Sequence, residues 1–100
     1  MATFTPTQLK ALRGLAATFY ALKDVVRLEM LSVLAQRECT VNELAEALGK
    51  SQPLISWHLR RLKAADIVKI RRSGREAYCS LNHAVIEDKQ REFQELIGLK

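Results

Sequence analysis

The sequence predicts a mainly helical domain that carries one small β-hairpin, with four helices before the hairpin and one after it. Three observations predict it. Capping residues and glycines cut the chain into short stretches whose apolar residues recur at helical spacing. After Asp66 the pattern switches to two β-prone runs flanking a glycine turn. No internal repeat and no Pro/Gly/Ser linker marks a second domain, and 100 residues with 48% hydrophobic and 27% charged content is one globular domain's worth of chain. A single domain over residues 1–100 is expected.

The first helix runs from Pro6 to about Leu22, with Leu9, Leu12, Leu15, Ala16, Phe19 and Leu22 covering more than one face. So much apolar surface needs a partner. Asp24 is typed to cap a second helix running to about Gln36, with Val25, Leu28, Leu31, Val33 and Leu34 expected on its core side. Thr40 and Glu43 have capping-box spacing, which opens a short helix over Val41 to Leu48. Gly49 stands where a helix ends in the left-handed conformation, and Ser51 is suited to cap the next helix, with Pro53 in its first turn.

That fourth helix runs to about Ala65 and turns Ile55, Leu59 and Leu62 inward at i, i+4 and i+7. The hairpin follows as Ile67 to Arg72, a turn at Ser73-Gly74, and Arg75 to Leu81, which puts Arg71, Arg72 and Arg75 near its tip. In its second run Ala77, Cys79 and Leu81 share one face, and Tyr78 and Ser80 the other. Asn82 caps a last helix expected to reach Leu99, with Val85, Ile86, Phe93, Leu96 and Ile97 apolar.

Charge narrows the function classes. The net charge of +5 suits a polyanionic partner, and eight of the sixteen Lys and Arg residues fall between Lys50 and Arg75 against the single acid Asp66. No apolar run is long enough to cross a membrane and no signal-peptide pattern opens the chain, so a cytoplasmic protein without a membrane partner is expected. An enzyme is disfavoured, because there is no glycine-rich phosphate loop, no nucleophile elbow and no Ser, His and Asp set.

Two short helices joined by a glycine turn (about 41–65) and followed by a basic hairpin (about 67–81) give the order of a winged helix-turn-helix. Ala45, Gly49 and Ile55 supply the small residue, the turn and the apolar plug that the motif requires. At these residues the chain resembles the ArsR/SmtB family of winged-helix repressors. Leu22 to Leu31 is similar to the family's second-helix signature, with Val25 in place of its usual proline. Val41 to Ala45 and Ser51 to Leu59 are similar to its helix-turn-helix, and Gly74 to Leu81 to its wing.

With Ile55, Leu59 and Leu62 inward, helical geometry turns Gln52, Pro53, Ser56, Trp57 and Arg60 outward together, and these are the candidate base readers. The resemblance also places DNA contacts at Gln52, Pro53, Ser56 and Trp57. Arg71, Arg72, Arg75 and Lys50 are candidate phosphate contacts, although a run of charge is often only solvated surface. The partners expected are double-stranded DNA and a second copy of the chain, held through helices about 6–22 and 83–99 by Leu9, Leu12, Leu15, Phe19, Phe93, Leu96 and Ile97.

No cofactor and no metal is expected. Relatives in the resembled family sense metals through a Cys-Val-Cys run at the third helix or through ligands on the last helix. Here the first place reads Thr40-Val41-Asn42, with Cys39 one position off, and the last helix holds no histidine pair. His58 flanks the buried face of its helix, where packing is the plainer role, and His83 has only carboxylates such as Glu87 beside it. Cys39 and Cys79 are expected as small buried hydrophobes. A thiol-sensing repressor using both cysteines, and a winged-helix module that binds another protein, remain as alternatives, with a small-molecule or redox effector open as inducer.

Overall fold

Every helix starts at a side chain that accepts a bond from one of its unpaired N–H groups, as seen in a computed structural model that describes residues 1–99. Lys100, the last residue of the expected domain, lies outside the described residues. Thr5 and Gln8 form a reciprocal capping box at the head of α1 (Pro6–Leu22), and Thr40 and Glu43 form another at the head of α3 (Val41–Leu48). Asp24 caps α2 (Val25–Leu34), Ser51 caps α4 (Gln52–Ala64) and Asn82 caps α5 (His83–Leu96).

Three of these helices close through a left-handed residue, namely Gly49 at φ 63°, Asp66 at φ 59° and Gly98 at φ 74°. In each case the following amide reaches back to a carbonyl of the last turn: Lys50 to Ala45 at 2.9 Å, Ile67 to Leu62 at 3.1 Å and Leu99 to Gln94 at 2.8 Å. The closure at Gly98 stops α5 at Leu96, short of the expected Leu99. α2 likewise ends at Leu34, before Gln36, because the amide of Gln36 turns back to Val33 in a tighter bond of 3.0 Å.

The hairpin consists of β2 (Val68–Ser73) and β3 (Glu76–Leu81), and a two-residue strand β1 (Cys39–Thr40) adds to the free side of β3. All pairings are antiparallel, in the order β1-β3-β2. β1 was not expected. It pairs Cys39 with Cys79 and Thr40 with Tyr78, anchoring the entrance to α3 on the wing. The last pair of the hairpin is Ser73 with Glu76, so the turn residues are Gly74 and Arg75, one position later than expected. Arg71 and Arg72 therefore lie within β2, opposite Tyr78 and Ala77, and only Arg75 is at the tip.

The core gathers Met30 and Leu34 of α2, Leu44 and Ala45 of α3, Ile55, Leu59 and Leu62 of α4, then Ile67, Val68 and Cys79. On α2 the buried face is Arg27, Met30 and Leu34, not the expected Val25 and Leu28, which are 74% and 51% exposed. An arginine holds a core position because its buried polar atoms find partners there, while Val25 faces outward and Leu28 lines a groove with α1 and α5. α1 and α5 pack on each other through an edge-to-face contact of Phe19 and Phe93 at 4.9 Å, and Gly14 lets the ammonium of Lys89 approach within 3.1 Å of where a Cβ would stand. Among the described residues no helix is long and apolar enough to cross a membrane.

Candidate nucleic-acid interface

α4 presents two unlike faces. Ile55, His58, Leu59 and Leu62 are buried, and Gln52, Pro53, Trp57 and Arg60 are exposed with Ser56 half-exposed beside them. The five candidate readers thus share one solvent-facing side. Gln52 Nε2 donates to Ser56 Oγ at 3.2 Å, an i, i+4 bond that orders both side chains before any partner arrives. The inward face is closed by the core, so the helix is held against the body of the domain by its own apolar side chains.

Trp57 is 41% exposed, and two guanidiniums already stand over its ring. The guanidinium of Arg61 lies 4.5 Å from its ring centroid and that of Arg27 lies 5.6 Å away, while the ring of His58 meets it edge-on at 5.0 Å. The indole is therefore a fixed plate flanked by cations. Arg61 carries more of this site than its sequence position suggested, since it is both exposed and stacked on the tryptophan.

Beneath Trp57 lies a polar cluster that sequence reasoning did not assemble. Arg27 is 5% exposed, and its Nε donates to His58 Nδ1 at 3.1 Å. Its Nη1 donates to the carbonyls of Tyr20 and Ala21 at 3.3 and 3.2 Å. Asp24 accepts from the amide of Arg27 at 3.2 Å and lies 4.0 Å from His58 Nδ1. Partial desolvation opposes ionisation of Asp24, but the amide bonds from Arg27 and Val26 and the charge of Arg27 outweigh it and hold the carboxyl below its usual range. The one local sign of this cluster was the spacing of Arg27, Met30 and Leu34, which marks a common helix face.

In the wing, Arg72 and Arg75 are exposed, as is Lys50 at the turn before α4. Arg71 is exposed yet engaged, with Nη2 and Nε donating to the two carboxylate oxygens of Glu38 and its guanidinium 4.9 Å above the ring of Tyr78. The Arg71 bonds hold the Glu38 carboxyl below its usual range.

The two cysteines, distant in sequence, are register partners across β1 and β3, and both are fully buried free thiols. Burial raises the Cys39 thiol above its ordinary value and pushes Cys79 up to about 11, with Cys39 and Glu38 adding to the latter. Thiols in that state are poor nucleophiles. Among the described residues no cluster of three or more His, Cys, Asp or Glu is placed to hold a metal.

Of the residues expected at a dimer seam, Leu9, Phe19, Leu96 and Ile97 are 37%, 45%, 55% and 50% exposed, and Leu12 and Phe93 are half-buried. Leu15 is the exception. It is buried within its own chain at 6%, at the floor of a groove of about 350 Å³ between α1, α2 and α5 that Phe19, Leu28, Ile86 and Phe93 also line.

The profile of the family described as bacterial regulatory protein, arsR family, matches residues 24–69, which span α2 through the first residues of β2. The chain is 43% identical over 65 residues to the HTH-type transcriptional regulator KmtR of Mycobacterium tuberculosis, an alignment that takes in 65% of this chain and 50% of that protein. It is 37% identical over 70 residues to the transcriptional repressor SdpR of Bacillus subtilis, covering 70% of this chain and 78% of that one. The chain thus spans about half the length of the first of these relatives and most of the second. Its fold is similar to the homodimeric winged helix-turn-helix DNA-binding domain of a possible ArsR-family transcriptional regulator from Mycobacterium bovis, at 30% identity and a TM-score of 0.76 over 99% of this chain and 89% of the other. With an arsR-family profile laid on its helix-turn-helix and a repressor aligned over most of its length, this chain belongs to the ArsR family of bacterial regulatory proteins.

Proposed function

We propose that the chain is a sequence-specific repressor that binds double-stranded DNA as a homodimer in the cytoplasm and performs no chemical turnover. One observation carries this reading: Gln52, Pro53, Ser56, Trp57 and Arg60 share the open side of a helix whose other side is locked in the core. Gln52 and Ser56 carry the hydrogen-bonding groups that read base edges, and Trp57, Pro53 and Arg60 shape the contact around them. Arg72, Arg75 and Lys50 supply affinity through phosphates, and Arg71 joins them only when Glu38 releases it. The whole length acts as one domain, with its helix-turn-helix over about 41–65 and its wing over about 67–81.

The second copy covers α1 and α5. The Cα radius of gyration is 15.5 Å, above the roughly 13 Å of a compact 100-residue domain, and Phe4, Leu96 and Ile97 are left exposed beside α1 and at the end of α5. Seated there, Leu9, Leu12, Phe19, Phe93, Leu96 and Ile97 form the seam with Leu15 beneath them. Two recognition helices then stand about 34 Å apart on successive major grooves of a pseudo-palindromic operator. Relief of repression requires an effector that favours another dimer geometry.

The test is selection of bound duplexes from a random pool with the purified protein, followed by a salt titration on the enriched sequence. Enriched inverted repeats and a log–log salt slope of about −5 or steeper are expected. No enrichment together with a flat salt response would favour a protein-binding module and overturn the proposal.

A further inference from the structure

The geometry points to Arg27 as a positioning residue for duplex recognition, tying the recognition helix α4 to the end of α1 through one buried side chain. This rests on the reading of α4 given above. Arg27 touches no solvent-facing reader directly except the tryptophan ring, so it acts through the setting of the helix.

Three elements meet at this residue, two of them on its guanidinium. Nη1 donates to the carbonyls of Tyr20 and Ala21, in the last turn of α1, where helix carbonyls lack partners and negative charge accumulates. Nε donates to His58 Nδ1 on α4, and the amide of the same residue is capped by Asp24 at the start of α2. An Nδ1 that accepts a bond carries no proton, so His58 sits as neutral imidazole with its proton on Nε2. His58 lies on α4 between Trp57 and Leu59, directly after two of the candidate readers, Ser56 and Trp57.

The physical consequence is angular. Core packing by Ile55, Leu59 and Leu62 tolerates small rolls of a helix, because apolar contacts have no preferred direction. A hydrogen bond weakens steeply as its angle departs from linear. The Arg27–His58 bond therefore fixes the roll of α4, and with it the angle at which Gln52, Ser56 and Trp57 meet a groove. Lysine does not replace this arginine, since one ammonium cannot present the planar fork that reaches α1 and α4 together.

The experiment compares wild type with Arg27→Lys, Arg27→Met, His58→Leu and His58→Asn on the enriched duplex and on a scrambled duplex of equal length. The preference for the enriched over the scrambled duplex should fall about tenfold in Arg27→Lys, Arg27→Met and His58→Leu. Affinity for the scrambled duplex and its salt slope should stay as in wild type, and the emission of Trp57 should shift. His58→Asn, whose side-chain oxygen stands near the position of Nδ1, should retain most of the preference. Should the Arg27 variants fail to fold, the contrast between His58→Leu and His58→Asn decides the matter alone. Undiminished preference in every folded variant, or an equal loss on both duplexes, overturns the assignment. A wild type without any preference overturns the recognition reading first, and the role of Arg27 falls with it.

Discussion

Arg71 grips Glu38, which lies 33 residues earlier in the chain, with Nη2 2.8 Å from one carboxylate oxygen and Nε 3.3 Å from the other. The bidentate form fixes the guanidinium in direction as well as distance, and the ring of Tyr78 lies 4.9 Å from its centre. The middle of the wing is thereby tied to the segment entering β1, and one of the wing's cations is neutralised in place.

The wing arginines should accordingly behave unequally. Arg75→Ala and Arg72→Ala should weaken binding to all duplexes alike and flatten the log–log salt slope by about 1 each. Arg71→Ala should change it less. Glu38→Ala should tighten binding severalfold at low salt and steepen the slope, because it removes an anion and frees Arg71. Fluorescence anisotropy across a salt series measures all four, and identical slopes for Arg71→Ala and Arg75→Ala would refute the division.

Both thiols should be nearly silent in the native protein. With Cys79 pushed up to about 11 by burial, its thiolate fraction at pH 8 is on the order of one part in a thousand, and Cys39 is raised in the same direction. Iodoacetamide followed by mass spectrometry should find slow labelling in buffer and two rapid additions in denaturant. Rapid labelling of either cysteine in the folded protein would revive the thiol-sensing alternative.

Gly49 and Ile55 separate backbone strain from packing. Gly49 has φ 63° with nothing within 4 Å of an added Cβ, so Gly49→Ala meets only the left-handed conformational penalty, roughly 1–2 kcal/mol. Ile55 is fully buried among the core side chains, and Ile55→Ala should cost about 2–5 kcal/mol through lost transfer energy and a cavity. Guanidinium denaturation midpoints give both numbers. A larger loss at Gly49 than at Ile55 would contradict the core described above.

Acid should destabilise the fold through two identified carboxyls. Asp24 and Glu38 are held below their usual range in the folded chain, so the unfolded chain takes up protons first as pH falls. Their contribution is complete above the ordinary carboxylate range, near pH 4–5, and is lost as pH drops through the lowered native values. The double variant Asp24→Asn, Glu38→Gln keeps a capping side chain at position 24 and removes both titrations. Its stability should fall less than that of wild type between pH 6 and pH 3, as followed by urea midpoints.

The helix heads were legible because capping is local. Thr40 with Glu43, Ser51 with Leu54 and Asn82 with Val85 each act within one turn, and all are observed. The buried face of α4 was legible for the same reason, since Ile55, Leu59 and Leu62 repeat at the helical period. α2 shows where this fails. Its apolar residues Val25 and Leu28 suggested one face, while the buried one contains Arg27, and the positions of His58 and of the last carbonyls of α1 make a buried arginine satisfiable there. Leu15 shows the same limit: its type fitted an outer seam, yet within its own chain it is already buried, lining a groove between α1, α2 and α5.

From the sequence alone came the punctuation of the chain, the inward and outward sides of the recognition helix, the wing and the family resemblance, all of them set by residues within a few positions of one another. The folded structure alone decided that Cys39 meets Cys79, that Glu38 holds Arg71, and that Arg27 joins α1 to His58. The pairs Cys39–Cys79, Glu38–Arg71 and Arg27–His58 each link residues more than 30 positions apart with no periodic spacing between them. A charge or thiol has no preferred partner until packing brings one within bonding distance, and that proximity is a property of the whole fold.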